Sequence, residues 1–129
     1  MTDNSEAVAC TCAHLADERK ADDIVVLEVG STAFFTEYFV IATGRSDRQI
    51  RAIAQQVLHE MRALGHSVIG MEGEADSGWV LVDLGDVVVH LFSPEARNNY
   101  DLELLWGEAP RTEWRQVEPL TSATRAEGQ

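Results

Sequence analysis

Residues 79–92 read WVLVDL, then GD, then VVVHLF: two β-rich runs around Gly85-Asp86, a dipeptide that closes a two-residue hairpin. With that loop Leu84 faces Val87, Val82 faces Val89 and Val80 faces Leu91. One side of the hairpin is therefore wholly aliphatic and belongs to a core. The other side pairs Asp83 with Val88, Leu81 with His90 and Trp79 with Phe92. A strand face that meets water is polar, and this one carries a Trp, a Phe, a Leu and a Val. Two covers fit it equally well from the sequence: a helix of the same domain, or the surface of another protein, since aromatic residues mark the centres of protein contacts.

The rest of the chain supplies an α/β frame for this hairpin. Its 129 residues suit one domain, and 45% apolar with 25% charged residues is enough for a core. Val8, Cys12, Leu15 and Ala16 predict an amphipathic helix from Ser5 to about Lys20. Residues 24–29 and 37–43 predict two strands, the first apolar on both faces except at Glu28, as a buried central strand is. Ser46 and Gln49 form a capping box, and Ile50, Ile53, Ala54, Val57, Leu58, Met61 and Leu64 recur at helical spacing up to Gly65. The other side of that helix, with Arg48, Arg51, Gln55, His59 and Arg62, reads as solvated. A short strand at 67–71 and an acidic turn at 72–78 lead into the hairpin.

Ser93-Pro94 starts a short helix through Asn98, and 101–106 adds a turn or two before Gly107. Residues 1–4 read as frayed. Beyond Gly107 there is no sustained periodicity, so the expected organisation is a domain at 5–107 and a flexible tail at 108–129, with Trp114 its one anchor. The order predicts an α/β domain with a mixed sheet of about five strands and helices on at least one face.

Charge and motif spacing narrow the function. The formal net charge is −12, and Lys20 is the one lysine, so the chain is poorly built to neutralise nucleic-acid phosphates. Between His66 and Trp106 eight acidic residues stand against one basic residue, Arg97, which suits a basic protein partner. The start has neither a basic segment nor an apolar core of the secretory kind, and the apolar runs are too short to span a bilayer, so a cytosolic protein is expected. Cys10, Cys12 and His14 are spaced by two, which on a helix scatters them, and a fourth ligand is missing; no metal is expected. Gly44-Arg45-Ser46 lies where a helix start can hold an anion but lacks the glycines and lysine of a phosphate loop. Asp83 and Asp86 flank the hairpin tip at a spacing that does not aim two carboxylates at one metal, and His90 has no neighbouring nucleophile.

The blocks ADDIVVLEV (21–29), TEYFVIATGRSDRQIRAIA (36–54) and GWVLVDLGDVVVHLFSPEARNNYDLELLW (78–106) resemble the ribosomal silencing factor family, also called the Iojap-related family, across roughly residues 7–106. That resemblance implies a domain of nucleotidyltransferase-like topology without the catalytic constellation: not an enzyme, and with no cofactor. It implies binding to the large ribosomal subunit through a basic ribosomal protein on its intersubunit face, with no direct dependence on nucleic acid and no membrane. In bacteria such binding blocks joining of the small subunit when nutrients are scarce, whereas organelle members favour large-subunit assembly. Members are homodimeric when free. The contact surface carried over by the resemblance is Trp79, Leu81, Asp83, Phe92, Tyr100 and Trp106. Repression, assembly, and a nucleotide-binding enzyme of the same topology are the readings carried forward.

Overall fold

In the computed structural model, which describes residues 5–30, 33 and 35–120, the hairpin forms in the register its alternation predicts. Strands β4 (Trp79–Asp83) and β5 (Val87–Phe92) pair Trp79 with Phe92, Leu81 with His90 and Asp83 with Val88. The Leu84 N–H donates to the Val87 carbonyl at 2.9 Å, and Gly85 takes a φ of +90°, a conformation that costs a residue with a Cβ more than it costs glycine. Around the hairpin stand β1 (Asp22–Glu28), β2 (Tyr38–Thr43) and β3 (Gly70–Glu74). The five-stranded sheet has the order β1-β2-β5-β4-β3 and is mixed: β2 and β5 are parallel, and the other neighbours are antiparallel.

Helices α1 (Ser5–Glu18) and α2 (Asp47–Ala63) cover one face of this sheet. The predicted stripe of α2 is buried there with Val26, Val40, Val80, Val82, Val89 and Leu91. Its Arg48, Arg51, Gln55, His59 and Arg62 are exposed. Both ends of α2 are closed as the sequence signals. Ser46 Oγ accepts the Gln49 N–H at 3.1 Å, while Gln49 reaches back one residue further than expected, to the Arg45 N–H. At the other end Gly65 N–H bonds to the Arg62 carbonyl and His66 N–H to the Met61 carbonyl, with Gly65 at φ +80°. Helices α3 (Pro94–Tyr100) and α4 (Leu102–Leu105) lie on the opposite face.

Three expectations are corrected. First, β1 is an edge strand rather than a central one; it is apolar on both faces because Ile24 and Val26 pack in the core under α1 while Val25 and Leu27 join the cluster of Phe39 and Trp106 on the other face. Second, residues 108–120 are not a flexible tail. The Glu28 N–H donates to the Pro110 carbonyl at 2.8 Å, the Thr112 N–H donates to the Val26 carbonyl at 2.9 Å, and Leu27 bridges Arg111. Trp114 is buried and its indole N–H donates to the Ile24 carbonyl at 3.2 Å. Its ring meets His14 edge-on at 5.1 Å, and His14 Nε2 donates to the Val117 carbonyl at 2.9 Å. The Leu120 N–H reaches the Thr11 hydroxyl at 2.9 Å. The segment lacks periodicity because it runs once along an edge and over α1, with no regular element to impose a repeat. Third, β3 begins at Gly70 and runs into the expected acidic turn, which shrinks to a single 3-10 turn at Ala75–Ser77. Gly-Met-Glu-Gly-Glu has little strand propensity of its own, and pairing with β4 overrides it. The expectations for residues 1–4 and 121–129 lie outside the described residues.

The 108–120 segment is thus part of the domain, which predicts its energetic weight. Trp114→Ala removes a buried aromatic side chain and should cost about 3–5 kcal/mol in guanidinium unfolding. Truncation after Gly107 should lower the midpoint at least as far by also uncovering β1. An unchanged midpoint for the truncated chain would return the segment to the status of a dispensable tail.

Candidate protein-docking face

The sheet face opposite α1 and α2 is largely apolar through its middle and acidic at the β3 edge. Register places Leu27, Phe39, Val88 and Asp83 in one row across it, and Val25, Ile41, His90, Leu81 and Glu72 in the next. A third row runs Thr43, Phe92, Trp79 and Glu74. Among the described residues α3 and α4, with Ala33, Trp106 and Ala109, cover part of this face.

Their position is fixed by a few polar contacts. Ser93 Oγ accepts the Ala96 N–H at 3.1 Å to start α3 after a strand, with Pro94 in its first turn. Asp101 ends α3 at φ +50° and its carboxylate accepts the Leu104 N–H at 3.4 Å, so one residue stops one helix and starts the next. The guanidinium of Arg97 makes a two-pronged contact with Glu103, 3.0 Å on each side, and donates to the Thr43 hydroxyl at 2.8 Å. This largely buried group ties α3, α4 and the end of β2 together. Arg97 holds the Glu103 carboxyl below its usual pKa.

Aromatic rings fill the space beneath. Trp79 stacks on Phe92 at 5.3 Å, leans on Tyr100 at 4.5 Å and donates its indole N–H to His90 Nδ1 at 3.3 Å. Trp106 meets Phe39 edge-on at 5.4 Å. Of the sequence-derived contact residues, Trp79, Leu81, Asp83 and Trp106 are half-buried and Tyr100 is exposed. Phe92 is corrected: it is fully buried under Trp79, Tyr100 and Ala96, so it supports the face from below and offers no surface for contact. Asp83 has a structural duty as well, its carboxylate accepting the Gly85 N–H at 2.9 Å.

The structure adds residues that sequence reasoning did not single out. Leu104 and Leu105 are 77% and 73% exposed, and Phe35, beside Phe39, is 65% exposed. Successive residues on a helix point about 100° apart, and α4 turns Leu102, with Trp106 after it, toward the sheet and leaves Leu104 and Leu105 outward. The stretch Asp-Leu-Glu-Leu-Leu-Trp does not by itself say which of its leucines face the sheet. Tyr100 is exposed as well, and the half-buried Trp79 and Leu81 line a groove with it and with Glu72.

The groups that could suggest chemistry are occupied elsewhere. Asp86 accepts the Ser5 hydroxyl at 2.7 Å and lies 3.6 Å from His66, pinning the hairpin tip to α1. Arg45 is paired with Asp22 at 2.7 and 3.0 Å and its N–H is taken by Gln49, so the loop before α2 has little left to offer an anion. Cys10 and Cys12 are buried, and burial pushes their thiols up to about 11 and about 12, which makes them inert at neutral pH. Among the described residues no group of His, Cys, Asp and Glu converges as metal ligands do, and no helix is long and apolar enough to cross a membrane.

Comparison with known proteins adds an independent line. Residues 2–129 match the family described as ribosomal silencing factor during starvation. The ribosomal silencing factor RsfS of Bacillus subtilis is 41% identical over 107 residues, spanning 83% of this chain and 91% of that protein. A mouse protein named mitochondrial assembly of ribosomal large subunit protein 1 is 34% identical over 71% of this chain and 42% of its own length. A solved structure from Chromobacterium violaceum superposes with a TM-score of 0.74 at 36% identity, covering 78% of this chain and 83% of the other.

One buried group gives the face a measurable signature. The His90 ring lies between Phe39 at 4.7 Å and Phe92 at 6.1 Å, and burial pushes its pKa down to about 4. Because the indole of Trp79 can only donate, Nδ1 accepts and the proton of the neutral ring sits on Nε2, which has no partner among the described residues. The unfolded chain binds this proton near pH 6.5 and the folded chain only near pH 4, so folding stability falls as pH drops between those values. The wild type should therefore lose up to about 3 kcal/mol more than His90→Phe between pH 7 and pH 4. Parallel pH profiles from urea unfolding would contradict this burial.

Proposed function

The chain belongs to the ribosomal silencing factor family, and from that premise we propose that it represses translation by occupying the large ribosomal subunit and sterically blocking the small one. The observations that carry this reading are the exposed Leu104, Leu105 and Tyr100 of α3 and α4, the groove of Trp79, Leu81 and Glu72 beside Tyr100, and the acidic excess of residues 66–106. An apolar centre supplies affinity, and an acidic surround steers and orients a basic protein, here a ribosomal protein on the intersubunit face. Steric occlusion needs no bond chemistry, and Asp86, Arg45, Arg97 and Glu103 are engaged in contacts within the fold. The nucleotidyltransferase-like topology, the cytoplasmic setting and a homodimer in the free state belong to the same proposal.

A second reading, action in large-subunit assembly through the same surface, is favoured by the name of the mouse relative. The two differ in what happens to mature subunits. Sucrose-gradient sedimentation with purified subunits should show the chain travelling with the large subunit and lowering the fraction of whole ribosomes. Travel without that loss would favour assembly, and absence from the large-subunit peak would overturn both.

The surface itself is best probed at Leu104 and Leu105. Trp79 also stacks on buried rings, so truncating it perturbs folding as well as contact. Leu104→Asp with Leu105→Asp should leave unfolding within about 0.5 kcal/mol of wild type. It should weaken large-subunit binding by about 2–4 kcal/mol, roughly thirtyfold to a thousandfold, in co-sedimentation. Unchanged binding would place the contact elsewhere.

A further inference from the structure

The two edges of the sheet are treated differently. Residues 110–112 close β1, whereas β3 pairs with β4 on one side and, among the described residues, with no strand on the other. In an antiparallel pair alternate N–H and C=O groups point away from the partner strand. Among the described residues the outer side of Gly70–Glu74 therefore presents backbone groups with no strand partner, the Glu74 carbonyl being taken by the Ser77 hydroxyl, and such a row is the template on which a further strand adds. Proline and lysine, frequent guards of such edges, are absent from it, and Met71 and the preceding Ile69 are 43% and 67% exposed.

Two grooves flank this strand and meet at Gly73. One, of about 440 Å³, lies on the α2 side and has Met71, Val80 and Ala54 in its lining, with Asp47, Asp76 and the single cation Arg51. The other, of about 220 Å³, lies on the docking face and includes Trp79, Leu81, Tyr100 and Glu72. A strand laid along an edge sends successive side chains to opposite faces of the sheet. Here one set would enter each groove. The acidic groups outnumber Arg51, so they favour a basic strand and disfavour a second copy of this one.

We propose that β3 is an acceptor edge for strand addition by an extended, basic segment of the protein partner. The proposal rests on the protein-docking reading above and adds how the partner is held in register. Backbone pairing fixes the direction and step of the segment. The grooves select side chains on either face, and the apolar surface of α4 and Trp79 then receives the remainder of the partner.

Residue-resolved amide hydrogen exchange of the full chain, free and bound to purified large subunits, tests this. Alternate amides within 70–74 should slow by at least about tenfold on binding, while those already bonded to β4 stay unchanged. Uniform slowing along 70–74 would mean cover without pairing and would overturn the proposal. So would slowing confined to 79–81 and 102–106, which leaves the docking reading standing. No slowing anywhere would remove both. Protection of 70–74 in the free chain that is lost on dilution would assign the edge to a second copy and overturn it equally.

Discussion

A sheet with two apolar faces needs two covers, and this chain has enough helix for one and part of another. The long α2 and the mostly buried α1 seal one face. Among the described residues the other receives the eleven residues of α3 and α4, held down by the Arg97 guanidinium between Glu103 and Thr43, with Ala33, Trp106 and Ala109 beside them. A charge-assisted, two-pronged contact in a partly buried place is a strong fastener, and its loss would leave Arg97 with the Thr43 hydroxyl alone or Glu103 with the more distant Arg111. The reach of that fastener decides what the outer face can do. Beneath it Phe92, His90 and Phe39 are core, and beyond it Leu104, Leu105 and Tyr100 remain in water.

The same economy governs the edges. Pairing by residues 110–112 and the burial of Trp114 turn β1 from an open edge into an interior strand in all but sheet order. Nothing comparable protects β3 among the described residues, and its glutamates set the charge of what can approach. The open acidic edge and the aromatic side of the face meet in one groove, where Glu72 and Gly73 of β3 stand with Trp79, Leu81 and Tyr100. Binding there requires little rearrangement, because the hairpin, the α3–α4 hook and the aromatic layer are already fixed by contacts within the chain.

The hairpin was legible from sequence because its alternation and its Gly-Asp loop admit a single register, and the structure keeps every pair. Helix α2 was legible because cap, stripe and terminal glycine agree. The segment after Gly107 was not, since Trp114 and the 110–112 pairing are single tertiary contacts with no periodic trace. Strand β3 was displaced by three residues at each end because its pairing with β4, not its own composition, decides it. For the docking face, the sequence placed Trp79, Leu81, Asp83, Tyr100 and Trp106 at or near the surface but put Phe92 among them. Alternation assigns a side chain to a face and says nothing about how deeply a later helix buries it. Leu104 and Leu105 emerge only once α4 is seen to touch the sheet with its other side.

One claim is central: the uncovered face, when docked, leaves no room for the small subunit. Light scattering during subunit joining measures this directly, with large subunits incubated with a saturating amount of the chain before small subunits are added. Occlusion predicts that the amplitude of joining falls in proportion to the large subunits occupied. Normal amplitude and rate with the chain demonstrably bound would contradict occlusion, whatever the affinity of the contact.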